Sequence, residues 1–391
     1  MVPKENQVFT LVEIFNKMIL NQLTQLRQEL HQSPEIAGEE GNTASKILSF
    51  FSKMGPDEVI ENLGGFGLAF IFKGKTAGPR TLFRAELDAL PIQESGNPSY
   101  KSKIDGKGHL CGHDGHMTII CGLGEKLAAQ RPEKGEVVLL FQPAEETGEG
   151  ARRILDDPKF QRIQPDFAFA LHNLPGFPLH QLVTRKGTFA AGSTGMTITL
   201  TGKTSHAAHP EAGINPAHAI AQLIQILPQL PEKLNGFALV TVIHAEIGSL
   251  AFGTSAGKGS LSLTIRAFDQ EELDILIQRI KEKVKSISES EKLKFEIFYR
   301  EEFAVSQNDQ EAATIAESTM KELGFDIYDK SEPFRWSEDF GLFSQSGPAY
   351  LFGLGSGENC PQLHEPTYDF PDELIESGVK LFEAIARKIN Q

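Results

Sequence analysis

Apolar positions spaced three and four apart open the chain. Leu11, Phe15, Met18, Ile19, Leu23 and Leu26 fall on one side of a helix predicted from about Val8 to His31, where the HQSPE segment breaks it. A second helical pattern runs from Glu40 to Met54 and ends at Gly55-Pro56. Short apolar runs over 67–72 and 81–85, bounded by Gly and Pro, then predict buried strands. Helical spacing returns over 117–130, followed by the nearly all-apolar runs 136–141 and 166–171, which read as further buried strands. Strands alternating with helices predict a mostly parallel sheet flanked by helices.

The pattern changes near Gly187. Between Gly192 and Gly202 apolar Met196, Ile198 and Leu200 alternate with Thr197, Thr199 and Thr201, the signature of a strand with one wet face. A helix is predicted over 215–227, strands over 238–247 and 260–268, a helix over 270–286 and a strand over 294–299. That order, βαββαβ, is the ferredoxin-like pattern of a two-layer module. The chain resumes with a helix over 309–323, an apolar stretch at 349–354 and a final helix over 372–389. The expected architecture is α/β, with residues 1–187 and 301–391 forming one domain and 188–300 inserted into it. A length of 391 residues fits two domains.

Composition narrows the classes. Lys and Arg number 38 against 52 Asp and Glu, a formal charge of −14, and no basic block appears. Binding to nucleic acid or to an anionic membrane is therefore not expected. No apolar run reaches the length of a membrane span, and the first residues lack the basic-then-apolar layout of a signal peptide. Three scattered cysteines, Cys111, Cys121 and Cys360, fit no disulfide framework and point to a reducing, cytoplasmic setting.

The chemistry concentrates in GHLCGHDGH, residues 108–116, where nine residues carry three imidazoles, a thiol and a carboxylate. All are side chains that bind or orient metals. Cys111 and His113 stand two apart, so glycine-shaped backbone can aim both at one ion or a pair. Other polar groups follow the ends of predicted strands, where open α/β sheets place their sites: Glu86 and Asp88, then Glu145-Glu146, then His172. With His364, the candidate ligands are Cys111, His113, Glu145 or Glu146, His172 and His364, about the number that two metals need while keeping open positions. In extended backbone Glu145 and Glu146 point apart, leaving one carboxylate for metal and one for water. His109, His116 and Asp114 read as turn, cap or supporting residues, Cys121 as core, and Trp336 with the SEDF turn as a wall. Among the other histidines, His31, His180, His209, His218 and His244 read as ordinary.

Seven segments, RAELDALPIQE (84–94), HLCGHDGHM (109–117), FQPAEE (141–146), LHNLPGFP (171–178), GKTSHAAHP (202–210), SEDF (337–340) and LHEPTYDFPDE (363–373), occur in the order of a known family. The chain resembles the dinuclear metal amidohydrolases related to aminoacylase and bacterial carboxypeptidase, in particular the branch of hippurate and auxin-conjugate hydrolases. The resemblance implies a catalytic domain carrying an inserted lid and dimerisation domain, two divalent ions, and cleavage of N-acyl amino acids or related small N-acyl compounds. Zinc or manganese suits such a mixed donor set, as do cobalt and nickel.

The resemblance also implies roles. Cys111 would bridge the ions, Glu146 and His364 would hold one, and His113 and His172 the other. Glu145 would be the general base, and Asp88 would orient a ligand from behind. His206, acting across a homodimer interface made by the insert, would stabilise the carbonyl oxygen, and Arg266 would hold a substrate carboxylate. The insert would open and close over the site. The family's asparagine is missing from the loop Phe252-Gly253-Thr254-Ser255-Ala256-Gly257, and Glu86 replaces a commoner aspartate. A dipeptidase or carboxypeptidase with the same site is the enzymatic alternative, and a non-catalytic metal- or ligand-binding derivative the other.

Overall fold

The computed structural model describes residues 11–391, with side chains from residue 17 onward. The helix start expected at Val8, and the side chains of Leu11 and Phe15, lie outside the described residues. In chain order the first part contains α1 (Leu11–His31), α2 (Gly41–Phe51), β1 (Glu58–Leu63), β2 (Gly67–Lys73), β3 (Thr76–Glu86), α3 (His113–Ala129), β4 (Lys134–Gln142), α4 (Gly150–Asp156), β5 (Phe167–Leu174), β6 (Leu182–Thr184) and β7 (Gly187–Ala190). The middle part contains β8 (Gly192–Thr201), β9 (Ser205–His206), α5 (Ala217–Ile226), β10 (Ala238–Ile247), β11 (Thr254–Ser255), β12 (Lys258–Ala267), α6 (Gln270–Ser290) and β13 (Lys294–Phe303). The last part returns with β14 (Ser306–Asn308), α7 (Gln310–Glu322), β15 (Ile327–Asp329), α8 (Gly341–Ser346), β16 (Ala349–Gly355) and α9 (Leu374–Asn390).

The first and last parts share one eight-stranded sheet, ordered β1-β2-β4-β3-β5-β16-β6-β15. Its four central strands, β4, β3, β5 and β16, are mutually parallel, and antiparallel pairs occur toward both edges. Alternate residues of β2 show why these strands read as unbroken apolar runs. Leu68, Phe70 and Phe72 pack toward Phe51 of α2, Leu123 of α3 and Phe382 of α9, whereas Ala69 and Ile71 face Ile154 of α4 and Phe343 of α8. A sheet covered on both faces needs no polar side, and each fully buried phenylalanine contributes about 1.5–3 kcal/mol of transfer free energy. On α1 the buried stripe is narrower than expected. Leu23 and Leu26 are core and Ile19 packs half-buried against them, but Met18 is 64% exposed.

The middle part builds a separate four-stranded antiparallel sheet, ordered β10-β12-β8-β13. Met196, Ile198 and Leu200 of β8 and Leu261, Leu263 and Ile265 of β12 meet Leu223 of α5 and Leu276 and Ile280 of α6 in one core. The threonines between them stay half-exposed on the open face. This is the ferredoxin-like arrangement that the βαββαβ order predicts. Among the described residues, no helix is long and apolar enough to cross a membrane.

Candidate metal centre

The histidine-rich segment enters the site through Gly112. Its φ of 94° is left-handed, and an added Cβ would lie 2.5 Å from the Asn173 Oδ1, so the position requires glycine. From that turn α3 begins directly at His113, four residues before the predicted start at Met117. The apolar pattern missed this first turn because its residues are polar yet buried: His113, Asp114 and His116 all face the interior. Asp114 also suits a helix N-terminus electrostatically.

The parallel strands deliver the other groups at their carboxyl ends. Asp88 follows β3, Glu145 and Glu146 follow β4, and His172 lies within β5, which continues to Leu174 instead of ending before the histidine. The extended backbone expected at Glu145-Glu146 is not found. Ala144 takes a φ of 53°, the segment turns, and both carboxylates approach His113: Glu145 Oε2 lies 3.8 Å and Glu146 Oε1 3.9 Å from its Nε2. The turn is held by Asp88, whose two carboxylate oxygens accept the successive N–H groups of Glu145 (3.0 Å) and Glu146 (2.9 Å).

Hydrogen bonding sorts the imidazoles. His113 Nδ1–H donates to the Asp88 carbonyl oxygen at 2.8 Å, and His172 Nδ1–H donates to the Asn173 carbonyl at 2.9 Å. A carbonyl only accepts, so each ring carries its proton on Nδ1 and turns a bare Nε2 inward. His116 differs, since its Nε2 accepts the Asn173 N–H (3.2 Å) while Nδ1 reaches Glu86 Oε2 (2.7 Å), using both nitrogens. Of the five groups of three ligand atoms within 4.8 Å of one another among the described residues, two share a sulfur: Cys111 with His113 and His172, and Cys111 with Glu146 and His364. Cys111 belongs to both. Its Sγ is 3.6 Å from His172 Nε2, and His364 Nε2 is 3.7 Å from Glu146 Oε2.

This donor set fits a pair of cations. His113 Nε2 and Glu146 Oε1 are buried with no hydrogen-bond partner, and as two acceptors facing each other they need a positive centre between or beside them. Burial raises the Glu145 and Glu146 carboxyls well above the ordinary range, with Glu338 adding to the first and Asp88 to the second. Burial likewise pushes up the Cys111 thiol and pushes down the His113 and His172 imidazoles, the latter to about 3. It also brings Asp88 to about 7. Each shift opposes a charge that has no counter-ion, and divalent ions relieve the anionic ones.

Two clusters around the centre form ion pairs not assigned from the sequence. Arg84, fully buried on β3, pairs with Glu86, Asp339 and, at 2.8 Å, Glu338, while the Asp339 N–H reaches Glu145 Oε1 at 3.4 Å. The SEDF turn therefore contacts the groups nearest the metals, and Trp336 sets its ring 5.4 Å from that of His172. On α1, buried Arg27 binds Asp114 (3.4 Å), Asp369 (2.7 Å) and Asp372 (2.8 Å), and His31 binds Asp114 at 2.8 Å. His31, read from the sequence as ordinary, is thus a buried ion-pair member.

Besides Glu145 and Asp88, two predicted site residues, His206 and Arg266, stand outside these triads. His206 is exposed on the β9–β11 ribbon, and its Nδ1 accepts the Ala208 N–H at 3.1 Å. Arg266 on β12 donates through Nη1 to the Arg335 carbonyl (3.0 Å) and to Ser337 Oγ (2.9 Å).

Strand ends that gather thiol, imidazole and carboxylate around one shared sulfur define a metal hydrolase centre. Residues 82–388 match peptidase family M20/M25/M40, and the chain belongs to that family. It is 30% identical over 362 residues to the N-acetyldiaminopimelate deacetylase of Oceanobacillus iheyensis, covering 92% of this chain and 96% of that one. To the hippurate hydrolase of Campylobacter jejuni it is 30% identical over 372 residues, or 93% and 95% of the two chains. The crystal structure of a Bacillus subtilis dinuclear metal binding peptidase from the M20 family matches with a TM-score of 0.81 and 25% identity, over 96% of this chain and 99% of that one. The protein is a metal-dependent hydrolase of amide bonds.

Proposed function

We propose that this chain cleaves the amide of small N-acyl amino acids, using two divalent ions held by Cys111, His113 and His172 on one side and by Cys111, Glu146 and His364 on the other. The observation that carries the reading is Cys111's membership of both triads, with the Glu145 carboxylate beside them and in neither. When bound, the ions supply Lewis acidity, lowering the pKa of water from about 15.7 toward 7 and polarising the amide carbonyl. Glu145 then takes a proton from the attacking water and gives it to the departing nitrogen. Its carboxylate lies beside both triads and in neither, so it is left free to handle that proton. Asp88 keeps the Glu145-Glu146 turn in place through its two backbone bonds.

Residues 188–300 serve in this reading as a lid and a dimerisation domain. Support comes from the open edge of β10, where Leu239, Ile243 and Ile247 are exposed large hydrophobics, and from the exposure of His206 on the same module. His206 serves the site of a second copy, donating to the carbonyl oxygen as it gains charge. Zinc or manganese, with cobalt and nickel next, matches the thiolate, imidazole and carboxylate donors. Three unpaired cysteines suit the cytoplasm.

The names of the relatives guide the substrate panel. Elemental analysis should find two ions per chain, and hydrolysis should be assayed on acetyl-, benzoyl- and indoleacyl-amino acids with dipeptides alongside. Turnover of at least one acyl amino acid is expected. Full metal occupancy with no amide cleaved would overturn the proposal, and cleavage of dipeptides alone would move the activity to a peptidase.

A further inference from the structure

We propose that Arg266 is a positioning residue, fastening the strap of residues 334–339 against the metal centre, and not a clamp for the substrate carboxylate. Arg266 lies opposite Ser193, with Ala267 opposite Gly192, at the end of the inserted sheet where the chain has just left β7. There its Nη1 donates at once to the Arg335 carbonyl, 3.0 Å away, and to the Ser337 hydroxyl, 2.9 Å away. Between those two residues stands Trp336. One guanidinium nitrogen therefore brackets the indole from both sides in sequence, and a planar, rigid donor holds such a bracket well.

The strap is tied down along its length. The Ala191 N–H donates to the carbonyls of both Phe334 (2.9 Å) and Trp336 (3.1 Å), and the indole packs on the rings of Phe189 and Phe334. Its far side meets the chemistry: the Trp336 ring stands 5.4 Å from His172, Glu338 is paired with Arg84, and the Asp339 N–H points at Glu145 Oε1. A shift of the inserted sheet at Arg266 thus reaches one member of a metal triad and the proposed base through five consecutive residues. The substrate-clamp role implied by family resemblance asks the same guanidinium to face a ligand. Its described bonds go instead to the protein's own backbone and hydroxyl.

The kinetic arm of the test rests on the proposed amide hydrolysis, and the spectroscopic arm does not. Trp336 is the single tryptophan of the sequence, so protein emission excited at the indole edge reports on the strap alone. Arg266→Met, Arg266→Lys and Ser337→Ala should be compared with the unaltered full chain. Emission is recorded before and after adding Co2+, and kcat and KM are measured on an N-acyl amino acid and on the matching N-acyl amine that lacks the carboxylate. We expect Arg266→Met to shift the emission and weaken the Co2+ quench, and to lower kcat about tenfold on either substrate with KM within about twofold. Ser337→Ala should move both readouts the same way by less, and Arg266→Lys should restore part of the loss. A rise in KM confined to the carboxylate substrate, with emission unchanged, overturns the proposal, and so does an Arg266→Met chain identical to the parent in emission and quench. If Arg266→Met does not fold, Ser337→Ala decides by the same criteria. If the parent cleaves neither substrate, the functional reading fails while the emission arm still decides this one.

Discussion

What separates a ligand histidine from a supporting one here is the partner of its second nitrogen. His113 and His172 spend Nδ1–H on backbone carbonyls and keep Nε2 as an unprotonated acceptor, unpartnered on His113 and 3.6 Å from the Cys111 sulfur on His172, whereas His116 spends both nitrogens on supporting groups, Asn173 and Glu86. His113→Gln should therefore reduce bound metal below two ions per chain, and His116→Gln should retain both while activity drops through the loosened Glu86 and Asn173 contacts. Elemental analysis of the two purified variants tests the pair, and equal metal loss would contradict the sorting. The same logic sets Glu145 apart from Glu146. Since Glu145 belongs to neither Cys111 triad, Glu145→Ala should lower kcat by about 10²–10⁴-fold, the usual worth of a general base, while binding two ions. Near-normal turnover in that variant would refute the role.

At the scale of elements, α1 acts as a clasp. Arg27 and His31 join Asp114 in the first turn of α3 to Asp369 and Asp372, which follow His364, so one helix steadies the segments carrying His113 and His364. Burial opposes a charged His31, but Asp114 and Glu94 outweigh it and raise its pKa from 6.5 to about 9. Because the folded-state pKa is the higher one, the stability His31 contributes is complete below about pH 6.5 and is lost as pH rises through 9. Urea unfolding at pH 6 and pH 10 should show a loss on the order of 3 kcal/mol that His31→Gln lacks. An unchanged slope in the variant would remove His31 from the clasp. Little of this clasp was legible in the chain. Cys111, His113, Glu146, His172 and His364 could be picked out because each lies in or beside a turn punctuated by glycine or proline. Arg27 sits in an ordinary helical stripe, and its partner Asp372 lies 345 residues away. The ion pair of Glu338 is hidden from the sequence for the same reason, since it depends on Arg84 reaching it from β3. The turn at Glu145-Glu146 is closed locally by Gly148, left-handed at a φ of 69°, whose N–H donates to the Glu145 carbonyl at 2.7 Å, but the carboxylate that fixes its direction, Asp88, lies 57 residues from Glu145 and leaves no local pattern.

Across the whole molecule, the exposed His206 lies in the middle part of the chain, and the cluster of Cys111, Glu146 and His364 lies in the parts that share the eight-stranded sheet, each with its own core. If His206 works on a second copy, a site is complete only when two chains contribute to it, and a closed two-fold dimer gives each chain both roles. Glu145→Ala and His206→Ala then disable different halves of one site. Each variant alone should be nearly inactive, the first for want of a base and the second through a loss of about 10²–10³-fold in kcat, typical of an oxyanion donor. Mixed in equal amounts under conditions that let subunits exchange, half of the dimers become heterodimers. In these, the site holding intact Glu145 receives intact His206 from its neighbour, and the other site has neither. Activity should therefore return to about a quarter of the parent level, since one site in two is rebuilt in one dimer of two. Native mass spectrometry of the mixture confirms that heterodimers have formed. If they form and activity stays at the level of the separate variants, His206 serves its own chain, and closure of the lid within one subunit must bring it to the metals.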